Sequence, residues 1–398
     1  MSSQRSVAIV GAGLGGLACA RILQLRNIPV VVYEREASMS ARQQGGSLDM
    51  HPDTGFAVLE MAQLADEFKK VARYEDQGIK LIGMDGTLHF DSEAGDHWDT
   101  EDDGNRPEVD RIQLRQIFLD ALTPDTVKWG QGVSKVVEKD NKVTVHFIDS
   151  ALEPAVHDFV VGADGAWSRV RPAISPAVPE YSGMIYIDNF IKDVQKKYPH
   201  LADFLKSGIA LVLGDNKGLI SQRNANDVVR VYSAFRKPTS WPEEVGLKAL
   251  VDGGRWDEAN QLLLKQYEGW NTPATGYFQV PPFSMDIRPL YALRHHSWDT
   301  NAHMTLVGDA HMVAPPNGVG ANYAMLDGAE LGVVIAENVS ANEEEWLKAI
   351  KAYENKIQQR AWASQNEEFS FGLMISEGDS AARAAATLKQ AFAAAAQK

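Results

Sequence analysis

The sequence predicts an α/β protein in which a Rossmann-like domain is interleaved with a sheet-containing second domain and followed by C-terminal helices. Three observations carry that prediction. A strand, a glycine-rich turn, a helix and a second strand follow one another within the first 36 residues. Strand-then-turn patterns of the same kind return far along the chain, at 156–165 and 304–310. Between them, from about 179 to 288, lies a stretch of different character, dense in short strand-like runs.

Each element has its own reason. Ser6 to Val10 is a short apolar run, and Gly11-Ala12-Gly13-Leu14-Gly15-Gly16 follows it directly. The stretch LACARILQLR has helical spacing, and Ile28 to Glu34 reads as the next strand, so the whole is a βαβ unit. A helix is expected near 53–72, and the polar stretch 91–110 reads as a solvated loop. In VDRIQLRQIFLDAL (109–122) apolar residues recur at helical spacing, with Arg111 and Arg115 one turn apart. Residues 133–148 alternate as a hairpin around Asp140-Asn141, and 156–164 reads as one buried strand ending in Asp164-Gly165. MIYIDNFI, ALVLG, LISQR and VVRVYSAFR give the second domain its sheet, interrupted by a helix near 258–268. MTLVGDA returns to a strand and leads through HMVAPPNGVGAN into a helix. From about 343 the pattern is helical, ending in an alanine-rich segment with Asp379 and Ser380 available as N-caps. The boundaries drawn from this are 1–76, 105–178 and 289–335 for the first domain, 77–104 and 179–288 for the second, and 336–398 for the C-terminal helices.

Composition narrows the function classes. The 398 residues carry 39 Lys and Arg against 53 Asp and Glu, a formal charge of -14, which argues against nucleic acid as a partner. One cysteine, Cys19, leaves no disulfide and no cysteine-based metal cluster, and on its helix it reads as a small packing residue. The opening MSSQRSVAIVGAG reads as a strand entering glycines rather than a signal peptide, and no run of about 18 apolar residues occurs. A cytoplasmic, monomeric protein without a membrane partner is expected. His51, His295, His296, His303 and His311 form neither HxxxH nor HExxH, so no metal site is expected, and His311 reads as a structural loop residue.

The glycine-rich turn carries the first chemistry. Gly11 permits the tight turn, Gly13 lets backbone approach a pyrophosphate, and Gly16 lets the helix lie close to the sheet, while the helix N-terminus attracts phosphate. Glu34 at the end of the second strand can accept both ribose hydroxyls of an adenosine. Its carboxylate disfavours a 2′-phosphate, so FAD or NAD is preferred over NADP, an exclusion weakened by adjacent Arg35. A glycine-rich turn in an ordinary α/β protein is the plainer alternative.

GAGLGG with Glu34, VVGADG (160–165) and LVGDA with PPNGVGAN (306–322) occur in an order that resembles the class A FAD-dependent aromatic monooxygenases with a p-hydroxybenzoate-hydroxylase-like fold. Within them YERE, ARQQGGSLDMH and VDRIQLRQIF are most similar to the tetracycline-inactivating monooxygenases. The resemblance covers most of 5–335 and is thin in 180–290. It implies non-covalent FAD held by Gly11, Gly13, Gly16 and Glu34, with Arg35 beside the adenosine, Arg42 close to the flavin and Arg115 on the cofactor's linker. Asp164-Gly165 matches a motif used for FAD and for transient NAD(P)H contact, and Asp309 matches the aspartate on the ribityl chain. Gly318 and Gly320 before a helix can offer backbone N–H groups to the pyrimidine edge of the flavin. NAD(P)H would reduce FAD, O2 would add to give a flavin C4a-hydroperoxide, and its distal oxygen would attack a phenolic polycyclic substrate of the tetracycline or anthraquinone type. The flavin carries this chemistry, so no side chain is assigned as a general base, and Arg42 is the only catalytic candidate.

The family pattern GDAAHxxxPxxGQGxN reads GDAHMVAPPNGVGAN here, with His311 one position early, one residue fewer after Pro316 and Val319 in place of Gln. Candidates for the substrate are Lys217, Gln222 and Arg223, with Tyr186, Phe235, Phe283 and Pro315 as walls. The acidic composition suggests a neutral or zwitterionic ligand. A flavin oxidase or dehydrogenase on the same scaffold, and a flavoprotein that sequesters a polycyclic ligand without turnover, remain as alternatives.

Overall fold

The computed structural model describes residues 4–41, 46–92, 106–293, 296–314, 316, 318–365, 375–376, 378 and 380–395. Five parallel strands form one sheet in the order Met304–Leu306, Phe159–Gly162, Val7–Val10, Val30–Tyr33, Val127–Lys128. Strands from distant parts of the chain are therefore neighbours. Alternation decides what covers each face. Val7, Ile9, Phe159 and Val161 share a core with the helices Leu14–Leu25, Gly320–Asn338 and Glu343–Gln365. Ala8, Val10, Val160, Met304 and Leu306 share another with an antiparallel sheet of Val133–Lys139, Lys142–Phe147 and Ala155–His157. In the first core Phe159 and Trp346 meet edge to face at 4.8 Å, and burial of each ring stabilises the fold by roughly 1.5–3 kcal/mol.

The hairpin of that antiparallel sheet turns at Asp140 and Asn141, with φ of 53° and 58°, the left-handed pair that a two-residue turn requires. The stretch 156–164 is two strands in two sheets rather than one. Asp158 marks the change: its carboxylate accepts from Ser6 N (2.9 Å) and Ser6 Oγ (2.8 Å) and pairs with Lys142 (2.5 Å). The region expected as one helix near 53–72 is a π-helical turn, Pro52–Phe56, and two short helices, Ala57–Met61 and Ala65–Lys69. Gln63, with φ of 59°, separates the latter two.

The second sheet has seven strands in the order Ser284–Ala292, Glu180–Lys192, Val228–Arg236, Lys217–Asn224, Ile209–Gly214, Ile79–Gly83, Leu88–Asp91. Ile185, Ile187, Val231 and Phe235 face a core built with Pro199–Leu205, Leu247–Asp252 and Trp256–Gln266. The opposite face is covered in part by Ser380–Ala395, whose Ala381, Ala384, Ala385 and Leu388 lie on Met184, Tyr186 and Leu213. The C-terminal helices are thus divided between the two sheets; Asp379 lies outside the described residues. The rest of that face is polar and meets the ribbon of Ser47–Asp49 with Glu108–Asp110. There Gln222 Nε2 donates to Ser47 O at 3.2 Å and Asn224 Nδ2 to Asp110 Oδ1 at 3.3 Å. Among the described residues no helix is long and apolar enough to cross a membrane.

Candidate cofactor and substrate site

The nucleotide end begins at Gly11, whose φ of 104° is open to glycine and whose added Cβ would lie 2.3 Å from Ala163 O. A Cβ on Gly16 would lie 2.2 Å from Gly11 O, so this glycine sets the approach of the helix to the turn. At Gly13 the nearest atom would be 3.9 Å away. That space, in front of the N-terminus of Leu14–Leu25, suits a phosphate with its oxygens on the free N–H groups.

Glu34 is buried, and its carboxylate accepts from Ala12 N at 2.8 Å and Glu36 N at 2.9 Å. Arg115, also buried, donates to Ala12 O (2.8 Å) and pairs with Glu36 (2.9 Å) and Glu34 (3.4 Å). Its guanidinium lies 5.4 Å from the Trp129 ring centroid. Sequence reasoning missed Glu36 and Trp129; the second acid of YERE was the available signal. Arg35 is exposed beside Gly132.

At the flavin end Asp164 Oδ2 accepts from Arg169 N at 2.5 Å, while Asp164 Oδ1 is buried without a partner among the described residues. Burial raises the Asp164 carboxyl pKa against the hydrogen bonds from Ser168 and Arg169. Arg171 donates to Ala166 O (2.7 Å), Ala177 O (3.0 Å) and Ala310 O (3.0 Å), pinning the Asp164 loop to the Gly308–Ala310 turn. Asp309 at that turn is exposed by surface area, yet desolvation raises its pKa, opposed by the charge of Arg111. Both hold for a side chain lining a deep cleft, walled by protein and open to solvent. Among the described residues Gly318, with φ of 84°, and Gly320 meet nothing within 4 Å of an added Cβ, which leaves the N-terminus of Gly320–Asn338 approachable. Two residues on from Gly320, Asn322 Oδ1 accepts from His51 N and Gly55 N, both at 3.1 Å, and its Nδ2 donates to Asp49 O at 2.9 Å. These residues fit FAD: an open phosphate approach at Gly13, an orphaned buried oxygen on Asp164, a cleft carboxylate on Asp309 and an accessible helix end. Arg42, His295 and Pro315 lie outside the described residues.

The substrate candidates divide by strand face. Gln222 lies on the cleft face and its Oε1 accepts from Tyr232 Oη at 3.4 Å. Tyr186 shares that face, its ring 5.7 Å from Tyr232 and its hydroxyl buried without a partner among the described residues. Phe283 stands near the end of the same strands, 6.0 Å from Phe190 and under the Lys192 ammonium at 4.0 Å. Three expectations need correction. Lys217 donates to Gln266 O at 2.6 Å, Arg223 to Lys206 O at 3.1 Å, and Phe235 stacks near Trp241 and Tyr267, so all three point to the helix-covered face, away from the cleft. Among the residues that do stand on the cleft face and were not singled out are Asp188, Arg230, Tyr232, Asp286 and Arg288. Arg111 reaches the same region from the other sheet's helix: desolvation lowers its pKa, and it feels the charges of Asp309, Arg230 and Arg288.

Comparison with known families decides what this arrangement is, because the model of the FAD binding domain matches residues 4–368. The chain belongs to the FAD binding domain family. It has the class A FAD-dependent monooxygenase fold, it is a flavoprotein monooxygenase, and FAD is its cofactor. The monooxygenase asqM of Emericella nidulans is 27% identical over 379 residues, covering 83% of each chain. The 6-hydroxynicotinate 3-monooxygenase of Pseudomonas fluorescens is 26% identical over 382 residues, covering 91% of this chain and 89% of that one. The structure of the tetracycline destructase Tet(51) superposes with a TM-score of 0.69 at 18% identity, over 98% of this chain and 96% of that one. That likeness is one of fold.

Proposed function

We propose that this family member hydroxylates a phenolic ring, consuming NAD(P)H and O2 and returning NAD(P)+, water and a product with one added oxygen. Bound FAD supplies the redox chemistry, accepting hydride and activating O2. The protein's part is placement. Gly13 and the N-terminus of Leu14–Leu25 would take the pyrophosphate, Glu34 the adenosine ribose, and Asp309 a ribityl hydroxyl. The N-terminus of Gly320–Asn338 would favour the negative charge of reduced flavin. The cleft-face side chains would hold the ring at the flavin and, with the substrate in place, keep water out.

The observation that carries this reading is the docking of the ribbon that leads into the helix Arg111–Asp120 on the polar face of the seven-stranded sheet, with Asn224 Nδ2 on Asp110 Oδ1 at 3.3 Å and Gln222 Nε2 on Ser47 O at 3.2 Å, which puts Arg111 within the charge fields of Asp309, Arg230 and Arg288. Tyr186, Tyr232, Phe190 and Phe283 line the adjoining face and support a flat polycyclic ligand of the tetracycline or anthraquinone type. A second reading, a single hydroxylated ring, is favoured by the relative named 6-hydroxynicotinate 3-monooxygenase. The test is NADPH consumption with tetracyclines, anthraquinones and simple phenols, followed by mass spectrometry. Ligand-stimulated turnover with one oxygen added to a polycycle supports the first reading, and turnover of single rings alone selects the second. Peroxide release with every compound points to an oxidase, and binding without NADPH consumption to a sequestering flavoprotein.

A further inference from the structure

The turn Gly308–Ala310 that carries Asp309 is held from behind at two successive carbonyls. Arg171 Nη1 donates to Ala310 O and His296 Nε2 to His311 O, both at 3.0 Å. A carbonyl oxygen can only accept, so Nε2 carries a proton, and in the neutral ring Nδ1 is the acceptor. Ser175 Oγ, 2.9 Å from Nδ1, supplies the hydrogen and itself accepts from Ala177 N at 3.3 Å. Ser175 and His311 are buried, so these bonds are made away from water. Ser175 N donates to Arg171 O at 2.8 Å, which places Arg171 and Ser175 on one turn of the chain that follows Asp164. Arg171 thus holds the Asp309 turn directly, and Ser175 holds it through His296. Trp298 backs the arrangement, its ring 5.3 Å from the His296 ring and 5.3 Å from the His311 ring. Its Nε1 donates at 3.0 Å to the buried Glu354, which also accepts at 2.8 Å from Thr305 Oγ1 on the strand that enters the turn.

These bonds fall on the two residues after Asp309, and they fix the backbone on which its carboxylate stands. Without the bond from His296, the turn would sample orientations that FAD binding must then remove, an ordering cost that weakens affinity. A small displacement is enough, because a hydrogen bond weakens steeply with distance and angle. We propose that His296, its tautomer set by Ser175, is a positioning residue for the FAD site, holding the turn that presents Asp309 to the cofactor. This gives a role to a histidine whose spacing fits no metal motif. It rests on the reading of Asp309 as a cofactor ligand, and FAD binding rather than turnover tests it.

The experiment titrates full-length apoprotein with FAD, followed by flavin fluorescence, and measures denaturant unfolding of each apoprotein beside it. His296→Leu removes both bonds, His296→Gln keeps a donor at the reach of Nε2, and Asp309→Ala removes the carboxylate. The expected result is FAD affinity lower by about tenfold in His296→Leu and largely restored in His296→Gln. Combined with Asp309→Ala, the loss from His296→Leu should not add, because misplacing the turn costs little once its carboxylate is gone. His296→Asn, whose amide stops short of His311 O, takes the place of the leucine variant if that one does not fold. Unchanged FAD affinity in His296→Leu, even with a less stable apoprotein, would overturn the proposal and leave His296 a structural residue. A loss that glutamine does not restore, or losses that add in full with Asp309→Ala, would overturn it as well. Wild-type affinity in Asp309→Ala alone would sink the reading of Asp309 and this proposal with it, an outcome distinct from failure at His296.

Discussion

Gly328 packs so closely on Gly15 that a methyl group on Gly328 would sit 2.0 Å from the Gly15 carbonyl oxygen. In return a methyl on Gly15 would sit 2.6 Å from Ala324 O. The helices Leu14–Leu25 and Gly320–Asn338 therefore cross at backbone contact, which fixes the pyrophosphate end of the site relative to the flavin end. Gly328→Ala should force them apart, costing about 1–3 kcal/mol by overpacking and weakening FAD binding. Melting of the apoprotein and FAD titration check this; unchanged values in both would contradict the close crossing.

Arg115 is tied to two buried carboxylates before any cofactor contact is considered. Arg115→Ala leaves Glu34 and Glu36 facing each other without a cation, and breaking a buried pair in this way costs about 3–5 kcal/mol. The variant should lose apoprotein stability as well as FAD affinity. Denaturant unfolding without FAD separates the two: a loss of affinity at unchanged apoprotein stability would show that Arg115 serves the cofactor alone.

Asp309→Ala should lower FAD affinity by a factor of about ten or more, since a charged acceptor to a hydroxyl is worth roughly 1.5–3 kcal/mol. Asp309→Asn, which keeps an acceptor, should retain part of it. Flavin fluorescence titration reads both. Wild-type affinity in the alanine variant would remove Asp309 from the cofactor site.

The Glu108 carboxyl is pushed up to about 8 by burial and by Asp49 and Asp76, against a hydrogen bond from Ser47 and the charge of Arg73. A carboxyl whose folded pKa lies above its unfolded value near 4.3 binds its proton better when folded. Its contribution to stability is full below the unfolded value and is lost as pH rises towards about 8. The slope is at most about 1.4 kcal/mol per pH unit. Glu108→Gln should flatten that decline, so denaturant unfolding at pH 5 and pH 8 should differ less in the variant than in wild type. Equal pH dependence in the two proteins would refute the assignment.

What was legible in the sequence was local. Gly11, Gly16 and Glu34 stand in one βαβ unit, and Asp140-Asn141 in one hairpin, so neighbouring residues alone specify their backbone roles. Strand faces were less accessible, because parity depends on register with partners that the sequence does not name. Lys217, Arg223 and Phe235 look like Gln222 and Tyr186 in composition, yet they project from the other side of the sheet. Asp188, Arg230 and Arg288 escaped notice because three strands of one sheet bring them together. Arg171 did so because its value lies in three backbone carbonyls.

The most direct test of the account supplies isotopically labelled dioxygen to FAD-loaded protein with NADPH and the ring compound that most stimulates NADPH consumption. The account predicts a product carrying one labelled oxygen atom on the ring. Labelled hydrogen peroxide with the ring compound recovered unchanged would contradict it.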